Sequence, residues 1–119
     1  MIHGPTYAEM RDPGLLPADL RKRAQAAARE APLDPVNLFN ITWHDDAGRV
    51  RALRLPEALT GVEAPIILLF AKDFPTGSHK VGATYSVLME HQLAGDVKPG
   101  TSTLVWPSTG NYEIGRAHV

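Results

Sequence analysis

The sequence predicts an α/β fold: a partial parallel sheet with crossover helices, preceded by a helix and a β-hairpin. Three observations support this prediction. Ile66 to Phe70 is a continuous apolar run, which is typical of a strand buried on both faces of a covered sheet. From Ser78 to Gly95 apolar residues recur at the three-to-four spacing of a helix. Ser102 to Trp106 then has the composition of a second strand.

The composition excludes several classes of function. The chain has 119 residues, a formal net charge of -1 and 44% hydrophobic residues, which suits one modest domain. Its balanced charges provide no basic field for a nucleic acid or an anionic membrane. The longest apolar run, Pro65 to Ala71, is too short to span a bilayer, and the N-terminus does not resemble a secretory signal, so we expect a cytoplasmic protein. The absence of cysteine excludes disulfides, thiolate metal sites and a cysteine nucleophile.

The N-terminal half is expected to form two regions. Residues 1–14 contain proline and glycine without an apolar period and predict an irregular arm that could wrap a neighbour. Residues 15–64 begin with a helix from Leu15 to Ala31, in which Pro17 suits the first turn and Pro32 ends the run. We interpret the polar face of this helix as solvated rather than as a binding patch.

The rest of this second region predicts a β-hairpin. Leu38 to Trp43 and Arg49 to Leu55 are rich in strand-forming residues, and the segment from His44 to Gly48 between them has the Asp and Gly content of a tight turn. His44, Asp45 and Asp46 could suggest a metal site. Because neighbouring side chains on a turn diverge and no second histidine lies at ligand spacing, we expect no metal there.

Residues 65–119 are expected to form a strand, helix, strand, helix unit, an incomplete domain. Phe74 to Gly77 predicts a turn, and Ser78 is a candidate N-cap for the first helix. Lys98 to Gly100 predicts a second turn, and Pro107 to Asn111 a third one that leads into the last helix. Two strands joined through a helix are nearly always parallel, so their carboxyl ends share one edge of the sheet.

This shared edge predicts a ligand site. Strands lie about 4.8 Å apart, so the loop with Lys80 and the loop with Asn111 can meet across a small ligand. A lysine amine can condense with an aldehyde, and the backbone N–H groups at a helix start attract carboxylate or phosphate. A phosphate-binding P-loop is rejected, because His79 and Val81 occupy the positions next to Lys80 where that motif has glycine and serine or threonine. From the lysine alone, a solvated Lys80 would be the simpler interpretation.

Both loops resemble those of the pyridoxal phosphate (PLP) enzymes of fold type II. Pro75 to Ala83 is similar to the loop that presents the Schiff-base lysine, with the Thr-Gly-x-His-Lys order of the tryptophan synthase β-chain. Ser108 to Tyr112 is similar to the Thr-Ser-Gly-Asn-Thr substrate loop of cysteine synthases. The resemblance covers roughly Pro65 to Val119 and implies that the chain is the N-terminal portion of such an enzyme, with pyridoxal 5'-phosphate as its cofactor.

The resemblance also implies roles for individual residues. Lys80 would bond the cofactor and later remove the Cα proton of the substrate, and His79 would lie near the cofactor phosphate. Asn111 would hydrogen-bond the oxygen of the cofactor ring. The substrate carboxylate would be held by Ser108, Thr109, Gly110, Asn111 and Tyr112.

Two departures from the family affect what is expected. Tyr112 replaces a smaller threonine of cysteine synthases, which can change the accepted substrate. The family's glycine-rich phosphate loop follows the asparagine loop at a distance, whereas this sequence stops at Val119. We therefore expect that a further C-terminal part or a second chain completes the enzyme, and that the complete enzyme is a homodimer.

The expected activity is β-replacement or β-elimination on a small L-amino acid by a PLP-dependent lyase or transferase. Two alternatives stay open. The first is a PLP enzyme similar to threonine synthase or a dehydratase, which shares the same loops. The second belongs to another class, a non-catalytic interaction domain that keeps the fold without the cofactor.

Overall fold

The computed structural model describes residues 4–107 and residue 110, and this part of the chain is mixed α/β. The predicted combination of helices and strands is therefore confirmed. The α-helices are α1 (Tyr7–Arg11), α2 (Ala18–Glu30), α3 (Glu57–Thr60) and α4 (Lys80–Ala94); 3₁₀ helices span Pro13–Leu15 and Pro35–Asn40, and the strands are β1 (Ala52–Leu55) and β2 (Ile66–Leu69). Within this part, no helix combines the length and the apolar character that crossing a membrane requires.

The described part of the N-terminal arm is ordered rather than irregular. Thr6 caps α1, because its side chain accepts a hydrogen bond from the Glu9 amide while the Glu9 carboxylate accepts one from the Thr6 amide at 2.7 Å. The arm packs on its own chain, where the Tyr85 hydroxyl of α4 donates to the Pro5 carbonyl at 2.9 Å. The Thr-x-x-Glu spacing is a helix-start signal, and the prediction of an irregular arm is wrong for the segment that forms α1.

The predicted helix from Leu15 to Ala31 is confirmed as α2. Pro17 precedes its first residue, and Ala24 and Ala27 are buried against the following 3₁₀ helix. The Asn40 side chain of that 3₁₀ helix donates to the Ala24 carbonyl at 2.6 Å. Thus α2 packs through small residues and a buried amide.

The predicted strand from Leu38 to Trp43 is wrong, because the 3₁₀ helix Pro35–Asn40 occupies its first half and residues 41–43 form no strand. Asp34 caps the 3₁₀ helix by accepting a hydrogen bond from the Val36 amide at 2.8 Å. The buried side chains of Asn37 and Asn40 hydrogen-bond each other at 2.8 Å. These polar contacts override the strand propensity of the apolar residues.

The turn predicted from His44 to Gly48 is confirmed. Asp45 accepts hydrogen bonds from the amides of Ala47 and Arg49, both at 2.9 Å, and Gly48 has a φ of 73°. His44 and Val50 form an isolated antiparallel bridge across the turn. The predicted second strand begins later, as β1, and its partner is β2 rather than the segment before the turn.

The described sheet is antiparallel, and the predicted parallel sheet is not shown. In its register, Leu53 of β1 faces Leu68 of β2. The connection through α3 is too short for a parallel crossover, so the two strands run in opposite directions.

Residues 102–106, predicted as a strand, form none in the structure. The prediction that β2 is buried on both faces is also wrong, because Ile67 and Leu69 are 60% and 55% exposed.

The core lies between α4, the segment around Ile41 and the loop after β2. Its buried members are Leu38, Ile41, Phe74, Val81 and Tyr85, with Met10, Trp43, Ala71 and Met89 packed against them. The predicted helix up to Gly95 is confirmed, and Gly95 ends it with a φ of 84°. The core therefore fixes the helix that begins at Lys80.

Candidate functional site

Lys80 is the first residue of α4, and the loop before it leaves the carboxyl end of β2, as the sequence predicts. The loop is held by short-range hydrogen bonds. The Phe74 amide donates to the Ala71 carbonyl at 3.1 Å, and the Gly77 amide donates to the Phe74 carbonyl at 2.8 Å. Gly77 has a φ of 67°, a conformation that favours glycine. This turn leads directly into the start of α4.

The start of α4 is not capped as predicted. His79 rather than Ser78 is the N-cap residue, and its side chain makes no capping hydrogen bond. Ser78 still contributes, because its hydroxyl accepts a hydrogen bond from the Lys80 amide at 3.3 Å. The Gly82 amide donates to the His79 carbonyl at 3.1 Å. The first turn is thus stabilised by hydrogen bonds within the loop and helix themselves.

The backbone of Lys80 is anchored on the core. The Thr84 hydroxyl donates to the Lys80 carbonyl at 2.9 Å, and Thr84 is 1% exposed. Val81 and Tyr85, on the same face of α4, are fully buried. Lys80 itself is half-buried. A half-buried lysine therefore begins a helix whose next turn is buried.

Gly82 allows α4 to approach the first half of the chain closely. A Cβ atom at this position would lie 3.2 Å from Cγ2 of Ile41 and 3.8 Å from Cε2 of Phe74. Contacts near 3.2 Å are tight for carbon atoms. The glycine two residues after Lys80 thus sets the distance between the lysine helix and the core.

The exposed His79 contacts an aromatic residue that sequence reasoning did not select. Its ring stacks on Trp43 with a centroid distance of 6.3 Å and an interplanar angle of 29°. Trp43 in turn contacts the buried Phe74 at 4.9 Å. Trp43 lies in the segment wrongly predicted as a strand, and no motif or spacing in the sequence relates it to His79.

The second predicted loop lies mostly outside the described residues. Ser108, Thr109, Asn111 and Tyr112 belong to the part that the structure does not describe, and Gly110 is an exposed bend. The roles given to these residues, and the approach of Asn111 to Lys80, stay predictions.

Two ion pairs lie in a cleft away from Lys80. A cleft of about 740 Å³ lies between α2 and the loop after β2. On its walls Arg21 pairs with Asp46 at 2.9 Å, and Arg51 with Asp73 at 3.7 Å, which neutralises these charges. Within residues 4–107 and 110, no cluster of His, Asp or Glu side chains is arranged to hold a metal ion.

Asp45 has a structural partner in the turn. The hydrogen bonds that its carboxylate accepts from the Arg49 backbone and side chain lower the pKa of Asp45. Ionised Asp45 thus stabilises the turn that was considered as a metal site.

No protein-family model, curated protein or solved structure matches this chain. A function for Lys80 is therefore inferred from its geometry and from the motif around it.

Proposed function

We propose that this chain carries the lysine half of a PLP site and belongs to a PLP-dependent lyase or synthase of fold type II. The observation that supports the proposal is the setting of Lys80. It is half-buried, it begins a helix after the loop from the carboxyl end of a strand, and its carbonyl is fixed by Thr84. Its sequence context, Pro75 to Ala83, resembles the family's lysine loop.

Two features of the described residues support the proposed cofactor. Lys80 is half-buried, and its carbonyl accepts a hydrogen bond from the buried Thr84, which suits a covalent attachment point. The neighbouring imidazole of His79 is exposed and can meet an anionic phosphate. When bound, PLP supplies an electron sink for the negative charge that deprotonation leaves on the substrate Cα.

Individual residues of the chain would bind the cofactor and the substrate. Lys80 would hold the cofactor through Nζ and, once displaced by the substrate amine, would accept the Cα proton at the same atom. His79 would bind the phosphate and Asn111 would orient the cofactor ring. Ser108, Thr109, Gly110 and Tyr112 would bind the substrate carboxylate, as the resemblance implies.

The proposed reaction is β-replacement or β-elimination on a small L-amino acid in the cytoplasm, by an enzyme that forms a homodimer. Tyr112 stands where cysteine synthases have a smaller threonine, so it is the proposed determinant of the accepted side chain. Product analysis with O-acetylserine, serine, cysteine and phosphohomoserine distinguishes this activity from that of a threonine synthase or dehydratase.

The proposal includes a parallel neighbour for β2 in the working enzyme, although residues 102–106, predicted for this place, form no strand in the described part of the chain. The apolar side chains of β2 support it, because Ile66, Ile67, Leu68 and Leu69 are between 36% and 60% exposed in the described part of the chain. A strand without charged or polar residues is typical of a sheet covered on both faces. The edge of β2 opposite β1 is unpaired among the described residues, so it can accept another strand.

The same exposed strand favours a second candidate from another class, a non-catalytic interaction domain. Contiguous apolar surface on a soluble domain commonly marks a site of protein contact. This candidate requires no reaction at Lys80. A Lys80→Ala variant that keeps all partner binding, in a chain that does not bind PLP, would favour it.

Titration of the chain with PLP tests the leading proposal. We expect a saturable absorption band of the bound cofactor in the visible range, which Lys80→Ala abolishes. Lys72→Ala is the matched control, because Lys72 is an exposed lysine of the same loop and its loss should leave the band unchanged. A band that survives Lys80→Ala, or the absence of any saturable band, would refute the proposal.

A further inference from the structure

The rings of Phe74, Trp43 and His79 form an aromatic row that connects the core to the residue before Lys80. The ring of Phe74, which is 5% exposed, lies 4.9 Å from Trp43 at an interplanar angle of 55°. The Trp43 ring also lies 6.3 Å from the His79 ring, at an interplanar angle of 29°. Both distances fall in the range of about 4.5–7 Å that aromatic pairs prefer. The row thus crosses from the first half of the chain to the start of α4.

His79 depends on this row for its orientation. As the N-cap residue of α4 it makes no side-chain hydrogen bond to the helix, and its side chain is exposed. An exposed histidine without such a contact samples several rotamers. The Trp43 indole packs against the core, and only few rotamers of His79 keep its ring stacked on that indole. Stacking therefore restricts the rotamers of His79.

We propose that Trp43 is a positioning residue for the Lys80 site. Its indole holds the His79 imidazole in one orientation beside Lys80, and the imidazole then meets the phosphate of an incoming cofactor without a further ordering step. This inference rests on the proposed PLP function. Trp43 does not touch the reacting atoms, and it acts through His79.

A purely structural role is the competing explanation, because Trp43 is half-buried and packs against the core cluster. The two explanations differ in what a second core variant does. Ile41 is 3% exposed and belongs to the same cluster, but it has no ring and makes no stack with His79. Ile41→Val therefore weakens the packing while leaving the aromatic row in place.

The test compares Trp43→Leu, Trp43→Phe and Ile41→Val with the unchanged chain. The readouts are the NMR signals of the His79 ring protons, which a stacked indole shifts, and the rate at which PLP becomes bonded to Lys80. We expect Trp43→Leu to move the His79 signals towards those of a free histidine and to slow the reaction about five-fold. Trp43→Phe should rescue most of the rate, and Ile41→Val should change neither readout.

Two results separate a failure of this inference from a failure of the proposed function. If PLP bonds Lys80 in the unchanged chain and Trp43→Leu reacts no more slowly than Ile41→Val, the role of Trp43 is refuted while the PLP site stands. If PLP does not bond Lys80 in the unchanged chain, the proposed function fails and the role of Trp43 fails with it. Circular dichroism of each variant identifies any that has not folded, and Trp43→Phe then decides the question through the same two readouts.

Discussion

The Tyr85 hydroxyl donates a hydrogen bond of 2.9 Å to the Pro5 carbonyl, and this contact fastens the helix that begins at Lys80 to the N-terminal arm. Tyr85 is 1% exposed. A Cβ atom on Gly4 would lie 2.5 Å from the Tyr85 hydroxyl oxygen, so the arm can follow this path because residue 4 has no side chain. The arm and α4 are thus one packed unit.

Replacing Tyr85 by Phe should lower the free energy of unfolding by about 1–2 kcal/mol, because the buried Pro5 carbonyl loses its donor. Urea unfolding measures this change. Tyr7→Phe is the control: Tyr7 is 47% exposed and bonds the exposed Glu90, so its loss should cost less than about 0.5 kcal/mol. Equal effects of the two substitutions would argue against the buried contact.

The stability that Tyr85 contributes should be lost at alkaline pH. Burial, followed by the nearby negative charge of Glu9, raises the pKa of Tyr85 from 10.0 to about 12. The folded protein therefore disfavours the phenolate, and this contribution is complete below the ordinary pKa and disappears as pH rises through about 12. Urea unfolding between those two values should show a smaller advantage of the unchanged chain over Tyr85→Phe than at neutral pH. An advantage that stays constant would contradict the burial of this hydroxyl.

Gly82→Val should destabilise the protein by about 1–3 kcal/mol, because the new side chain must displace Ile41 from a contact of 3.2 Å. Ala83→Val on the exposed face of the same helix supplies the comparison, since it changes helix propensity by only about 0.5 kcal/mol. Thermal unfolding of both variants gives the difference. If they unfold at the same temperature, α4 does not approach the core as closely as described.

The sheet of β1 and β2 should bind a hydrophobic dye. Ile67→Lys should reduce this binding with little change in stability, because Ile67 is 60% exposed on an apolar strand. Leu93→Lys should reduce it less, since Leu93 is 78% exposed near the end of α4, away from the sheet. Fluorescence titration compares the two variants. Unchanged dye binding by Ile67→Lys would mean that β2 is covered.

The helices could be predicted from the sequence because their signals are local. The three-to-four spacing in α2 and α4 and the glycine after α4 give each helix nearly its observed bounds. The loop that ends at Lys80 follows from the same reasoning, because a strand, a Pro-Thr-Gly turn and a helix leave little choice of order. The position of Lys80 at the start of α4 was therefore predicted, whereas its role in a site stays a prediction.

Strand pairing could not be predicted, because it depends on contacts between distant residues. Leu38 to Trp43 has strand propensity, yet the side chains of Asn37 and Asn40 bond each other, and Asn40 bonds the distant Ala24 carbonyl, in a 3₁₀ helix. The short connection through α3 determines the partner of β2, and the sequence predicted no helix or strand in this connection. The stack of Trp43 on His79 is likewise a tertiary contact without a sequence signature.

The most direct test of the proposed PLP site is to find which lysine the cofactor bonds. The chain is incubated with a limiting amount of PLP, reduced with borohydride and mapped by peptide mass spectrometry. We predict that the label is concentrated on Lys80, although Lys80 is half-buried and Lys22, Lys72 and Lys98 are exposed. A label that spreads over the exposed lysines and spares Lys80 would contradict the assignment of Lys80 as the cofactor lysine.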